Sequence, residues 1–274
     1  MLIKPWTEQP APRHLLSELE SGEEDPLTAS PSLLPKVEYV HLHSARTEYL
    51  VVACSATRII TDALGQLPGV IESGRIVISP VKDDNDLEYI AEFDEDEQLY
   101  VNEEEFKDLK PVSVPVYTVT LETGVISFVS VPNLDNRVYH AIARVISAEI
   151  PFDTLLGIGT SELGRDTIEV LKEGSDDKQA NSLIAQLQPL APPHFITGPV
   201  ASMAATVKAL GKSVLVLVVN GEGAIHLNLE KCDLDLLVDC GLVVESYLHP
   251  GPEFMKSVKG SAIAKSSVSL GLYI

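Results

Sequence analysis

An α/β fold is predicted, a three-layer sandwich around a mostly parallel central sheet with an antiparallel hairpin added. Three observations predict it. Uninterrupted apolar runs at residues 49–54 (YLVVAC), 154–158 (TLLGI) and 213–219 (SVLVLVV) read as strands covered on both faces. Segments with helical spacing lie between and after them, which makes those strands parallel and central. A chain of 274 residues, 45% apolar and 22% charged, is long and apolar enough to bury a substantial core.

Taken in order, residues 75–81 (RIVISPV) read as a strand after the first central one. Residues 112–131 read as a hairpin, two β-branched segments around Glu122-Thr123-Gly124, where glycine supplies the positive φ of the turn. Pro115 puts the first of these segments at a sheet edge, or itself at a strand start. Over 135–149, Val138, Ile142, Val145 and Ile146 recur at helical spacing, with Asp135 or Asn136 as N-cap and Pro151 beyond the end. After the strand at 154–158, Gly159 opens a turn into a helix near 161–173, and the polar loop EGSDDKQ follows. Residues 199–210 form an alanine-rich helix with Pro199 in its first turn and Gly211 past its end. Residues 229–248 form a long helix in which Gly241 is a weak point. There is no internal repeat.

Charge and composition divide the chain. Residues 1–40 form a proline-rich arm (Pro5, Pro10, Pro12, Pro26, Pro31, Pro35) carrying apolar anchors Leu2, Ile3, Trp6, Leu15 and Leu16. The arm either straps across its own domain or reaches a partner. Residues 41–260 form a single α/β domain interrupted by an acidic insertion at 82–110. Its densest part, 83–108, holds thirteen acids and one base, more than half of the chain's net charge of −20. Such a run repels itself and is expected to stay solvated and largely disordered. Residues 261–274 are expected to be a flexible tail, rich in serine and glycine. From residue 254 onward the side chains include Lys256, Lys259 and Lys265 and no acid, and the sequence closes on Leu272-Tyr273-Ile274. An apolar terminus needs a destination, either its own domain as a last strand or another protein.

The acidity argues against general binding to nucleic acid or anionic membrane. No apolar run is long enough to span a bilayer, and the first residues lack a secretory apolar stretch. Three cysteines, Cys54, Cys232 and Cys240, do not make a disulfide framework and point to a reducing compartment, the cytoplasm.

Chemistry is sparse. The strongest enzyme-like signal is the turn Gly157-Ile158-Gly159-Thr160-Ser161-Glu162-Leu163-Gly164, a G-x-G-x4-G spacing that departs from the dinucleotide fingerprint. Gly221-Glu222-Gly223 is a second candidate anion loop. Gly211-Lys212-Ser213 lacks the earlier glycine and the preceding strand of a P-loop. His41 and His43 are a close pair without a third ligand, so no metal is expected. Cys232 and Cys240, eight apart on the expected helix, read as core thiols. No G-x-S-x-G occurs, and no cofactor is implied. Nothing here makes a positive case for catalysis. The competing reading is a small-molecule enzyme using loops 157–164 and 221–223.

Three segments carry a resemblance. Met1-Leu2-x-Lys4-x-Trp6 with Pro10, Pro12, His14, Leu15 and Leu16, then Pro192-Pro193-x-Phe195-Ile196-Thr197-Gly198, then Gly271-Leu272-Tyr273-Ile274 resemble the fungal form of the proteasome assembly chaperone 1 family. The resemblance implies a non-enzymatic chaperone of cytoplasm and nucleus on a nucleoside-phosphorylase-like α/β fold. It implies a heterodimer with a related second chaperone, bound to the outer face of the α-subunit ring of the 20S core particle. The hydrophobic–tyrosine–any motif, here Leu272, Tyr273 and Ile274, then enters a pocket between neighbouring α subunits.

Overall fold

The computed structural model describes residues 35–43, 46–79, 111–134, 136–174, 183–222 and 231–271. Most of the proline-rich arm (Leu2, Ile3 and Trp6 included), the acidic insertion, Gly223 and the terminal Leu272, Tyr273 and Ile274 lie outside these residues.

Ten strands form one sheet: β1 Lys36–His41, β2 Thr47–Ala53, β3 Ile71–Ser79, β4 Val112–Leu121, β5 Gly124–Ser130, β6 Phe152–Ser161, β7 Ile168–Glu173, β8 Gln188–Pro189, β9 Ser213–Glu222 and β10 Lys231–Cys232. Their order is β1-β3-β4-β5-β2-β6-β9-β7-β8, with β10 paired to the end of β9. At the centre β5, β2, β6 and β9 run parallel. The three strands read as parallel and central are adjacent there, as expected. The flanks correct the rest of the expectation. β1, β3, β4 and β5 pair antiparallel, as do β7 and β9, so the sheet is mixed rather than mostly parallel.

Five helices cover it among the described residues: α1 Arg58–Gly65, α2 Asn136–Glu149, α3 Gly198–Ala209, α4 Leu234–Leu248 and α5 Pro252–Gly271. Alternate residues of the central strands enter two cores. Val51, Leu156, Leu215 and Leu217 pack with α1, α4 and α5 on one face. Leu50, Leu155, Val214 and Val216 pack with α2 and α3 on the other. The continuous apolar run of β9 is therefore buried on both sides, and the layers number three. In α2 the spacing puts Val138, Ile142 and Ile146 inward with Tyr139 and Ala143. Each large side chain so buried contributes roughly 1.5–3 kcal/mol.

Several expectations give way to the structure. Residues 161–173 do not form a helix: β6 runs on through Ser161, and Ile168–Glu173 is a strand that supplies β9 with its antiparallel neighbour. Residues 157–164 are thus mainly strand instead of a glycine-rich loop. A β-carbon on Gly157 would lie 2.7 Å from Val200 Cγ1, so the glycine serves the close seating of α3 on β6. Gly221 and Glu222 likewise belong to β9. The helix read at 229–248 begins only at Leu234, because Asp233 caps it by accepting from the Asp235 and Leu236 N–H groups. Cys232 therefore sits on β10, off the helix that carries Cys240.

The last five residues read as arm, 36–40, belong with His41 to the edge strand β1, which pairs along β3. The strand read at 75–81 occupies Ile71–Ser79. Pro115 lies inside an interior strand. The β4–β5 ladder covers only Tyr117 to Leu121, however, so at Pro115 the strand is paired on the β3 side alone and its missing N–H is tolerated. Residues 261–271, expected to be flexible, continue α5. Up to Ala262 a stripe, Phe254, Val258 and Ala262 at i, i+4 and i+8, keeps one helix face on the core.

Candidate partner-binding site

The carboxyl ends of parallel strands are where open α/β sheets bind small ligands. Among the described residues, the chain bonds to itself at that end. The Thr57 hydroxyl, in the turn after β2, donates to Ile158 O on β6 at 2.7 Å. Asn220 Oδ1, near the end of β9, accepts from the Leu163 N–H at 2.9 Å, and His194 Nδ1 lies 3.0 Å from Glu162 O. A concavity of about 510 Å³ lies at the opposite end, lined by Arg46, Thr47, Glu48, Tyr49, Val125, Asp153 and Thr154. Arg46 and Asp153 bridge within it at 3.2 Å.

The isolated reactive residues fall into structural roles. His41 Nε2 meets Glu149 Oε2 of α2 at 2.8 Å, and its ring packs edge-on against Tyr39. No group of three metal-binding side chains occurs among the described residues. Cys240 is fully buried, and burial pushes its thiol far above the usual range, so it stays protonated and unreactive. Cys54 Sγ lies 3.4 Å from Thr57 Oγ1.

The approach to the chain terminus is built differently. At the turn out of α4, His249 is left-handed with φ 48°, and its N–H donates to Glu245 O at 2.9 Å. Gly251, with φ 91°, then permits the reversal into α5. From there Phe254, Met255, Val258 and Ala262 are buried against the same core as α1 and α4. A β-carbon on Gly241 of α4 would crowd Val258 and Met255, so the glycine makes room for both side chains. The Ser257 hydroxyl donates to Gln66 Oε1 at 2.7 Å. Ile263, Ala264 and Lys265, which follow Ala262, are all exposed. The helix ends at Gly271, immediately before Leu272.

Among the described residues the structure brings none of the expected enzyme-like segments together, and α5 ends at Gly271, next in sequence to Leu272. The anchoring went unread because serines and glycines dilute the stripe at 254, 258 and 262, the one sequence signal that reveals it.

A family model described as the POC1 chaperone matches residues 1–274. The chain belongs to the POC1 chaperone family. The resemblance drawn from the residues near Met1, Pro192 and Tyr273 is thereby borne out, and the role is that of a chaperone. Among curated proteins no sequence matches the chain. Pyrococcus furiosus PbaB, an archaeal proteasome activator, is similar in structure with a TM-score of 0.56 at 9% identity, over 87% of this chain and 99% of its own. Pyrococcus furiosus PbaA, an archaeal homolog of proteasome-assembly chaperone, gives 0.55 at 13% identity, over 85% and 95%. At such identities the likeness is one of fold. The two archaeal proteins share this chain's fold.

Proposed function

We propose that this POC1-family protein is a non-enzymatic chaperone of 20S proteasome core-particle assembly. It pairs with a related second chaperone, binds the outer face of the α-subunit ring, and inserts Leu272-Tyr273-Ile274 between neighbouring α subunits. The match of the whole chain to the POC1 chaperone family carries this reading. The names of the two archaeal proteins of like fold, a proteasome activator and a homolog of proteasome-assembly chaperone, agree with it.

The helical stem supports the mechanism energetically. Leu272 and the Tyr273 ring contribute about 1.5–3 kcal/mol each if fully buried. The terminal carboxylate is met by a cation or by N–H donors in the pocket. Ordering the chain costs about 1–2 kcal/mol per residue, and a helix through Gly271 confines that cost to three residues where a flexible tail spreads it over fourteen. A second tail on the partner chaperone and the domain's own contacts then raise the effective concentration. The arm residues Leu2, Ile3 and Trp6 make a further contact near the ring's axial opening.

The test is a titration of immobilised core particle with the chaperone, its C-terminus left native. Tyr273→Ala, or one residue appended after Ile274, weakens binding by about tenfold or more. Unchanged affinity refutes the tail mechanism. Hydrogen exchange on residues 1–16 tests the arm: equal protection with and without the particle removes it.

A further inference from the structure

We infer that the outward face of α5, formed by Lys256, Lys259 and Ile263, is a second docking surface for the protein that accepts the terminus, and that its target is an acidic protein surface with an apolar seat. The inference rests on the tail reading for the identity of that partner.

Helical geometry separates the two faces. Residues 254, 258 and 262, with 255, lie on one side and are buried. Residues 256, 259 and 263, at i, i+3 and i+7, lie on the opposite side and are exposed. Ile263 is 68% exposed, more than any other large apolar side chain among the described residues. A lone exposed isoleucine is ordinary on a protein surface. Its setting here is not: it directly follows Ala262, the last buried residue of α5 among the described residues, nine residues before the proposed insertion motif.

Charge decides the partner. The chain carries −20, so an acidic body meets repulsion over most of it. From residue 254 onward there are three lysines and no acidic side chain. Lys256 Nζ is held by Glu253 Oε1 of the preceding turn at 2.6 Å, both groups largely exposed. Lys259 and Lys265 make no ion pair among the described residues. The base of the tail is thus the place where an acidic surface approaches favourably. A basic partner would be drawn instead to the thirteen acids of residues 83–108. Nucleic acid and anionic membrane, extended polyanions, face the whole negative field. What remains is a compact acidic surface, with Ile263 supplying the apolar contact and the lysines the steering.

Full-length chaperone, paired with its partner chaperone, is titrated against the core particle at two salt concentrations. Lys259→Glu slows association by roughly threefold to tenfold and flattens the salt dependence, whereas Lys36→Glu, the same charge change at the far sheet edge, does not. Ile263→Asp raises the dissociation rate by about tenfold at unchanged thermal midpoint. A photo-reactive side chain at position 263 crosslinks to an α subunit, and one at exposed Leu210 does not. Should Tyr273→Ala weaken binding while Lys259→Glu and Ile263→Asp match wild type and position 263 fails to crosslink, this inference is overturned and the tail reading stands. Should Tyr273→Ala leave affinity unchanged while the position-263 effects appear, the tail reading fails and the docking face stands alone.

Discussion

Gly241 in α4 stands against Val258 in α5 so closely that a β-carbon on residue 241 would lie 3.1 Å from Val258 Cγ1. Met255 Sδ would lie at 3.3 Å. The sequence marks Gly241 as a helix weak point, costing up to about 1 kcal/mol against alanine. In the folded protein the same glycine lets the terminal helix lie flat on its neighbour. Gly241→Val therefore overpacks this contact. It lowers stability by about 1–3 kcal/mol in urea denaturation. An unshifted midpoint would show that α5 does not depend on this close approach.

Gly157 stands in the same relation to Val200 across the β6–α3 contact. A β-carbon there meets Val200 Cγ1 at 2.7 Å and Val216 Cγ2 at 3.1 Å, inside a core where neither can move far. Gly157→Ala is expected to destabilise by about 1–3 kcal/mol. Removing the opposing methyls with Val200→Ala restores part of the loss, giving a favourable coupling of at least about 0.5 kcal/mol in a double-mutant cycle. Strict additivity of the two changes would place the strain elsewhere.

These two glycines also explain what was legible in the sequence. Runs such as 213–219 and the stripe Val138-Ile142-Ile146 announce their elements because burial on two faces, or on one, writes a period into the residues. Gly157 and Gly159 do not announce a strand. Their small size answers to Val200, some forty residues away, and a nearby Gly164 made them look like a phosphate-binding turn. Ile168 and Val170 face one core while Glu169 and Leu171 face the other side, so a charged residue at a buried position masked the strand's apolar character. Arg165 Nη2 donates to Glu169 Oε1 at 3.1 Å, while Oε2 is buried with no partner among the described residues. The edge strand β1 was hidden by its exposure: only Val37 and Tyr39 pack inward. In α5 the grip lies in four residues, Phe254, Met255, Val258 and Ala262, and the serines between them read as flexibility. The family was legible through the resemblance, the burial of α5 only through packing.

Cys240 gives a pH signature. Its folded thiol is raised far above the unfolded value near 8.5, by burial first and by the neighbouring Cys232 and Asp239 next. Below about pH 8.5 both states are protonated and the group is neutral to stability. Above it the unfolded chain releases a proton that the folded chain keeps, so stability falls with rising pH, by up to about 1.4 kcal/mol per unit. Cys240→Ala should remove that part of the slope, whatever the cavity costs at neutral pH. Alkylation at pH 8 should label Cys54 and Cys232 before Cys240, which reacts only on unfolding. Early modification of Cys240 would contradict its burial.

Two phenylalanines separate stability from surface. Phe254 is fully buried at the start of α5, packed with the α1–α4 core, whereas Phe195 is 63% exposed in the loop before α3. Phe254→Ala should cost about 3–5 kcal/mol, transfer and cavity combined. Phe195→Ala should stay within about 0.5 kcal/mol. The consequence for binding differs in kind. With Phe254 removed, the base of α5 loses its deepest anchor, and the terminus must be ordered from further back along the chain, at about 1–2 kcal/mol for each added residue. On the proposed tail mechanism, core-particle affinity should therefore fall for Phe254→Ala even at temperatures where the domain remains folded, and Tyr273→Ala in that background should cost less than in wild type. If Phe254→Ala binds normally while its melting temperature drops, the helix is not the stem of the binding motif.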